Sequence, residues 1–187
     1  MIEESIQTGW SSVDIALLIT LLPLLVLSAF FSCSETALFR LTQAQCIELQ
    51  QRKSPPANAA LQLVKQRRVV LITILIGNMT ANVFFFVVSS VIMLRMPGGV
   101  AAEAGVAIAT IFSIVIFGEV LPKMAATARP LGLAMLLAPL LLLIHHFISP
   151  IRRFIDWFVI LPLSRLAAVG SSPPLDAQEL AALVALS

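Results

Sequence analysis

Charge is scarce in this chain. Only 12% of its 187 residues are Asp, Glu, Lys or Arg, where soluble domains carry about 25%. With 59% hydrophobic residues, that excludes an ordinary soluble fold and points to a bilayer. Cysteine is almost missing. Cys33 and Cys46 have neither the spacing of a zinc site nor the number for a disulfide framework, and read as inert thiols. No Lys or Arg precedes the first apolar run, which opens Met1-Ile2-Glu3-Glu4. It lacks the basic start of a cleavable signal peptide and is expected to stay as a helix. The net charge of +2 is too small to imply a nucleic-acid partner. H-E-x-x-H, G-x-S-x-G and P-loop patterns do not occur, so no enzyme is expected. His145 and His146 are adjacent, diverge on a helix, and make a poor metal pair.

What is present is long apolar runs: Ile15–Phe31, which contains Pro23, then Val69–Leu94, Val100–Phe117 and Leu131–Ile148. A span of ~30 Å needs roughly 20 helical residues, so hydropathy alone gives four spans. Charge placement argues for three. Arg40, Arg52, Lys53, Lys65, Arg67 and Arg68 lie between the first two runs, and Lys123, Arg129, Arg152, Arg153 and Arg165 follow the third. Three spans, at about 13–32, 69–94 and 100–123, put every basic residue except Arg95 in the cytoplasm and the amino terminus outside, as the positive-inside rule prefers. Residues 131–166, divided by Pro139, Pro150 and Pro162 and carrying Trp157, are then expected as juxtamembrane helices along the inner interface. The expected fold is an all-α integral membrane protein of a plasma or bacterial inner membrane, with a membrane domain over 1–168.

Between the first two spans a helix is expected from about Cys33 to Gln51, a break at Ser54-Pro55-Pro56, and a short helix from about Asn58 to Lys65. Ser171-Ser172-Pro173-Pro174 reads as a linker within 169–187. Asp176 with Glu179 reads as a capping box opening a further, truncated region.

Three polar clusters interrupt the apolar background. Ser32 and Glu35 in Phe31-Ser32-Cys33-Ser34-Glu35-Thr36-Ala37 fit either a capping box or, for Ser32, an ion ligand. Asn78 and Asn82 are one helical turn apart and face the same way, as an interhelical clamp or as oxygen ligands for a hard cation. Glu119 lies in Gly118-Glu119-Val120-Leu121-Pro122-Lys123. A carboxylate near membrane depth costs at least ~2.5–3.5 kcal/mol and by default marks an ion or proton pathway. The plain alternative is an ion pair with Lys123 one turn on. Pro122 cannot donate to the carbonyl of Gly118 and pushes it aside, which offers a backbone oxygen beside the acid. In the three-span topology all three clusters fall in the cytoplasmic half of the membrane. That favours one shared cation site over three unrelated structural roles.

The ordered set Ser32-Cys33-Ser34-Glu35-Thr36-Ala37-Leu38, Ile76-Gly77-Asn78 with Asn82, and Phe117-Gly118-Glu119-Val120-Leu121-Pro122-Lys123 resembles the transmembrane domain of the CNNM/CorC (cyclin M-like) magnesium transporters, from about Asp14 to the last residue. The resemblance implies three transmembrane helices, two short cytoplasmic-side helices and a juxtamembrane belt, assembled as a homodimer in membrane lipid. It further implies an intramembrane Mg²⁺ site open to the cytoplasm, and export driven by Na⁺. Ser32, Asn82 and Glu119 would be the leading ligands, Asn78 and the Gly118 carbonyl would come second, and Pro122 would supply the helix distortion. Family members continue into a pair of CBS domains that bind ATP, and Asp176–Ser187 would be their lead-in. A Mg²⁺ transporter is the expected function. The competing reading is a cation-sensing anchor and dimerisation module for a cytoplasmic domain.

Overall fold

The computed structural model describes residues 12–95 and 99–155, and every element among them is helical. In chain order these are α1 (Ser12–Phe39), α2 (Gln43–Arg52), α3 (Pro55–Lys65), α4 (Arg67–Arg95), α5 (Gly99–Ala128) and α6 (Pro130–Ile155). Within α5, Ile114–Val120 is a π-helical segment. The chain divides into two units, Met1–Phe147 and Ile148–Ser187. The polar network described below lies in the first. The expected linker at 171–174 and capping box at Asp176 lie outside the described residues.

Among the described residues four helices, not three, are long and apolar enough to cross a membrane: Val13–Phe39, Arg67–Arg95, Gly99–Ala128 and Pro130–Ile148. This corrects the expectation of three spans plus a juxtamembrane belt. The belt rested on prolines as breaks, yet α6 continues through Pro139 and Pro150. A proline removes one bond from the ladder, and an apolar helix tolerates that loss when its neighbours hold it. Ala134, Ala138, Leu141 and His145 form one buried stripe along α6, while Leu136, Leu140, Leu143 and Phe147 face outward. The helix thus packs into the core by one face.

α1 is longer than its apolar run. It passes through Pro23 and through Ser32–Glu35 without ending, so those two residues are mid-helix and cap nothing. The break comes later. Thr42 accepts from the Gln45 N–H at 3.3 Å while the Gln45 side chain accepts from the Thr42 N–H at 3.0 Å, and this capping box starts α2. The single helix expected over Cys33–Gln51 is therefore two. Lys53, at φ 47°, closes α2 in the left-handed conformation, and α3 starts with Pro55 in its first turn, where a missing N–H costs nothing.

α1 packs along α4 and against the lower part of α5, and two glycines permit the approach. A Cβ on Gly77 of α4 would enter the ring of Phe31. A Cβ on Gly118 of α5 would lie 2.9 Å from the Ser28 hydroxyl. Phe31, Leu38, Leu49, Leu63, Ile74 and Leu141 are the large buried residues around this junction. At one end of the bundle Arg67 stacks over Phe39 at 5.9 Å, near Arg40 and Lys123. At the other end Arg95 pairs with Asp14 at 3.0 Å.

Candidate cation site

The three sequence clusters meet where α1, α4 and α5 touch. Ser28 and Ser32, one turn apart on α1, are fully buried. The Ser28 hydroxyl lies 2.7 Å from Asn82 Oδ1 and 3.1 Å from Asn78 Oδ1. Asn82 Nδ2 donates to Glu119 Oε1 at 3.2 Å, and the Ser32 hydroxyl donates to the Glu119 main-chain oxygen at 3.3 Å. Asn78, Asn82 and Glu119 are each partly buried. Ser32, Asn78, Asn82 and Glu119 are thus joined with Ser28 in one connected network, which the Gly118 carbonyl does not enter.

Ser28 was not legible as part of it. It stands in the apolar run Ile15–Phe31 with no motif around it. The available signal was its position one turn before Ser32, which puts both hydroxyls on one helix face.

The π segment explains how Glu119 reaches the network. The Leu121 N–H bonds to the Ile116 carbonyl, five residues back. The next residue, Pro122, has no N–H and would crowd the carbonyl four before it. A wider turn accommodates both constraints, and such π-bulges concentrate at functional sites. The π-helical segment Ile114–Val120 ends two residues before Pro122. The backbone oxygen that meets a side chain is that of Glu119 rather than the expected Gly118. Gly118 is buried and contributes by letting Ser28 come close.

The alternative partner for Glu119 is elsewhere. Lys123 Nζ lies 3.6 Å from Glu35 Oε2 on α1, beside a groove of about 510 Å³ lined by Glu35, Thr36, Phe39, Arg40, Lys123, Met124 and Thr127. Among the described residues no group of three or more His, Cys, Asp or Glu converges. The chemistry of the site is one carboxylate with hydroxyl, amide and main-chain oxygens, a donor set for a hard cation.

Ser28 Oγ is thus within hydrogen-bond distance of both asparagine side chains. Mg²⁺ held octahedrally at ~2.0–2.1 Å sets neighbouring ligand oxygens about 2.9 Å apart. The observed spacings of 2.7 and 3.1 Å bracket that edge.

Residues 18–187 match the family model of the cyclin M transmembrane N-terminal domain. The chain belongs to that family. It is 37% identical over 113 residues to a UPF0053 protein of Haemophilus influenzae, covering 59% of this chain and 26% of that protein. It is 33% identical over 124 residues to the UPF0053 inner membrane protein YfjD of Escherichia coli, covering 63% of this chain and 28% of that one. The matched part is about a quarter of each relative's length, and the multi-spanning helical architecture is consistent with an inner-membrane location.

Proposed function

We propose that this cyclin M domain binds Mg²⁺ between α1, α4 and α5 and carries it across the membrane. The observation that carries the reading is the convergence of the Ser28, Ser32, Asn78 and Asn82 side chains on Glu119, the one carboxylate of the network. Hydroxyl, amide and carboxylate oxygens gathered at one point of an apolar bundle are the donor set of a hard cation.

The ligands in this reading are Ser28, Ser32, Asn78, Asn82 and Glu119, with the main-chain oxygens near Pro122 available to the same ion. Their oxygens replace water that Mg²⁺ sheds reluctantly. Glu119 supplies the charge that offsets the dehydration. Binding to one carboxylate keeps the ion releasable, as transport requires.

The finer statements belong to the same proposal. Arg40, Arg67, Lys123 and Arg129 gather at one end of the bundle, which we take as the cytoplasmic end under the positive-inside rule. The start of α1 would then face outward. Export coupled to Na⁺ entry by alternating access and action as a homodimer follow from the family resemblance. The relatives leave room for further domains, since the matched region is about a quarter of their length.

The test is Mg²⁺ movement in sealed liposomes carrying this chain, read with an entrapped indicator. Wild type moving Mg²⁺ down a gradient while Glu119→Ala does not supports transport. Binding without movement in the wild type replaces the transporter with the cation-sensing anchor.

A further inference from the structure

The groove between α1 and α5 holds more positive charge than the protein neutralises. Arg40 and Lys123 line it together with Glu35, Phe39 and Met124, and the Arg67 guanidinium lies over the Phe39 ring at 5.9 Å. Glu35 is the one carboxylate in the lining. Its contact with Lys123 at 3.6 Å is too long for a hydrogen bond. Among the described residues neither Arg40 nor Arg67 pairs with a carboxylate. Three cations thus gather here around a single, loosely held acid.

Depth and shape say what kind of anion fits. The two spans that form the groove end at Phe39 and Ala128, so its lining belongs to their last turns, at headgroup level once the helices are inserted. The groove is open on its outer side, and it is apolar as well as charged. Met124 in its wall continues into the exposed Leu121 and Phe117, which follow at helical spacing on one face of α5 toward the middle of the span. A ligand that fills this place has an oxyanion at one end and hydrocarbon behind it. A soluble anion would use the cations and leave the apolar stripe bare. Arginine suits phosphate oxygens by its fork of donors, and basic pockets between membrane helices on the cytoplasmic side bind phospholipid headgroups.

We propose that the α1–α5 groove binds an acidic phospholipid, its phosphate against Arg40 and Lys123 and one acyl chain along Met124, Leu121 and Phe117. The proposal does not depend on whether Glu119 binds Mg²⁺. It concerns the same two helices, however. Lys123 is about 6 Å along α5 from Glu119 at 1.5 Å rise per residue, so a phosphate shared by Arg40 and Lys123 joins α1 to α5 one turn beyond the polar network.

The test uses the full chain with Trp10→Phe, Trp157→Phe and, as a fluorescent reporter beside the groove, Leu121→Trp. It is reconstituted in phosphatidylcholine vesicles containing phosphatidylglycerol, with one lipid or the other brominated on its acyl chains. Bromine quenches only a tryptophan it touches, so the two titrations give the relative affinity of the two headgroups at this place. A preference for phosphatidylglycerol of about fivefold is expected, the worth of one well-placed basic residue. Combining Arg40→Gln with Lys123→Gln should bring it within twofold of parity. Lys53→Gln with Lys65→Gln removes the same charge from exposed positions outside the groove and should leave the preference intact. Equal loss in both pairs of variants would reduce the effect to diffuse surface charge and overturn the site, as would no preference at all. Quenching by neither lipid would give this face of α5 to a second copy of the chain. Relief of quenching by inorganic phosphate would make the groove a soluble-anion site. Either result also overturns the lipid assignment.

Discussion

Lys123 reaches across to Glu35, Nζ to Oε2 at 3.6 Å, and leaves Glu119, one turn earlier on its own helix, to Asn82. The acid of the polar network is therefore not neutralised by its nearest lysine in sequence. The ion pair joins α1 to α5 at the basic end of the site, half-exposed on both sides.

Because that pair is half-exposed, it is worth no more than about 1 kcal/mol. Lys123→Gln should unfold within about 1 kcal/mol of wild type and should not weaken Mg²⁺ binding, since it removes a positive charge near the cation. Denaturation and calorimetry on the same preparation check this. A tenfold loss of Mg²⁺ affinity would show that Lys123 supports the site directly.

Ser28 should matter as much as the motif residues. Ser28→Ala removes the atom shared by Asn78 and Asn82 and is expected to weaken Mg²⁺ binding about five- to tenfold, the worth of one well-made polar contact. Thr20→Ala is the control, because its hydroxyl bonds only to Ala16 on the same helix at 2.8 Å. Titration calorimetry distinguishes the two.

The close approach of α1 and α4 depends on Gly77. Gly77→Ala would drive a methyl group into the Phe31 ring, and overpacking of this kind costs typically ~1–3 kcal/mol. Adding Phe31→Leu should recover part of the loss. A stable Gly77→Ala with unchanged Mg²⁺ affinity would mean the helices are further apart than described.

His145 anchors α6. Its Nδ1 hydrogen-bonds with the Thr73 hydroxyl of α4 at 2.9 Å, and both side chains are buried. His145→Ala should lower stability by about 1–3 kcal/mol with Mg²⁺ affinity within twofold of wild type. Chemical denaturation in detergent measures the first and calorimetry the second.

These contacts also explain what could be read from the chain beforehand. Asn78 with Asn82, and Glu119 before Pro122, were legible because a polar group in an apolar run is costly and helical spacing fixes which groups share a face. The helical class and the first three long helices followed from run length. The fourth did not. Pro139 and Pro150 looked like breaks, and only the packing of Ala134, Ala138 and Leu141 against the core shows why α6 passes through them. Ser28 was hidden because one hydroxyl in an apolar run is common and its importance lies in two asparagines on another helix. The Ser32–Glu35 pair misled because a capping pattern is local, while the helix around it is held by Phe31, Ala37 and Leu38 packing into the core.

The most direct test of the account is Mg²⁺ titration of the purified chain, wild type beside Glu119→Gln. The substitution keeps shape and hydrogen bonding and removes only the charge. Saturable binding to wild type that vanishes in Glu119→Gln is the predicted result. Equal binding in both, or none in either, would contradict a cation site and return Ser28, Asn78, Asn82 and Glu119 to a hydrogen-bonded clamp between helices.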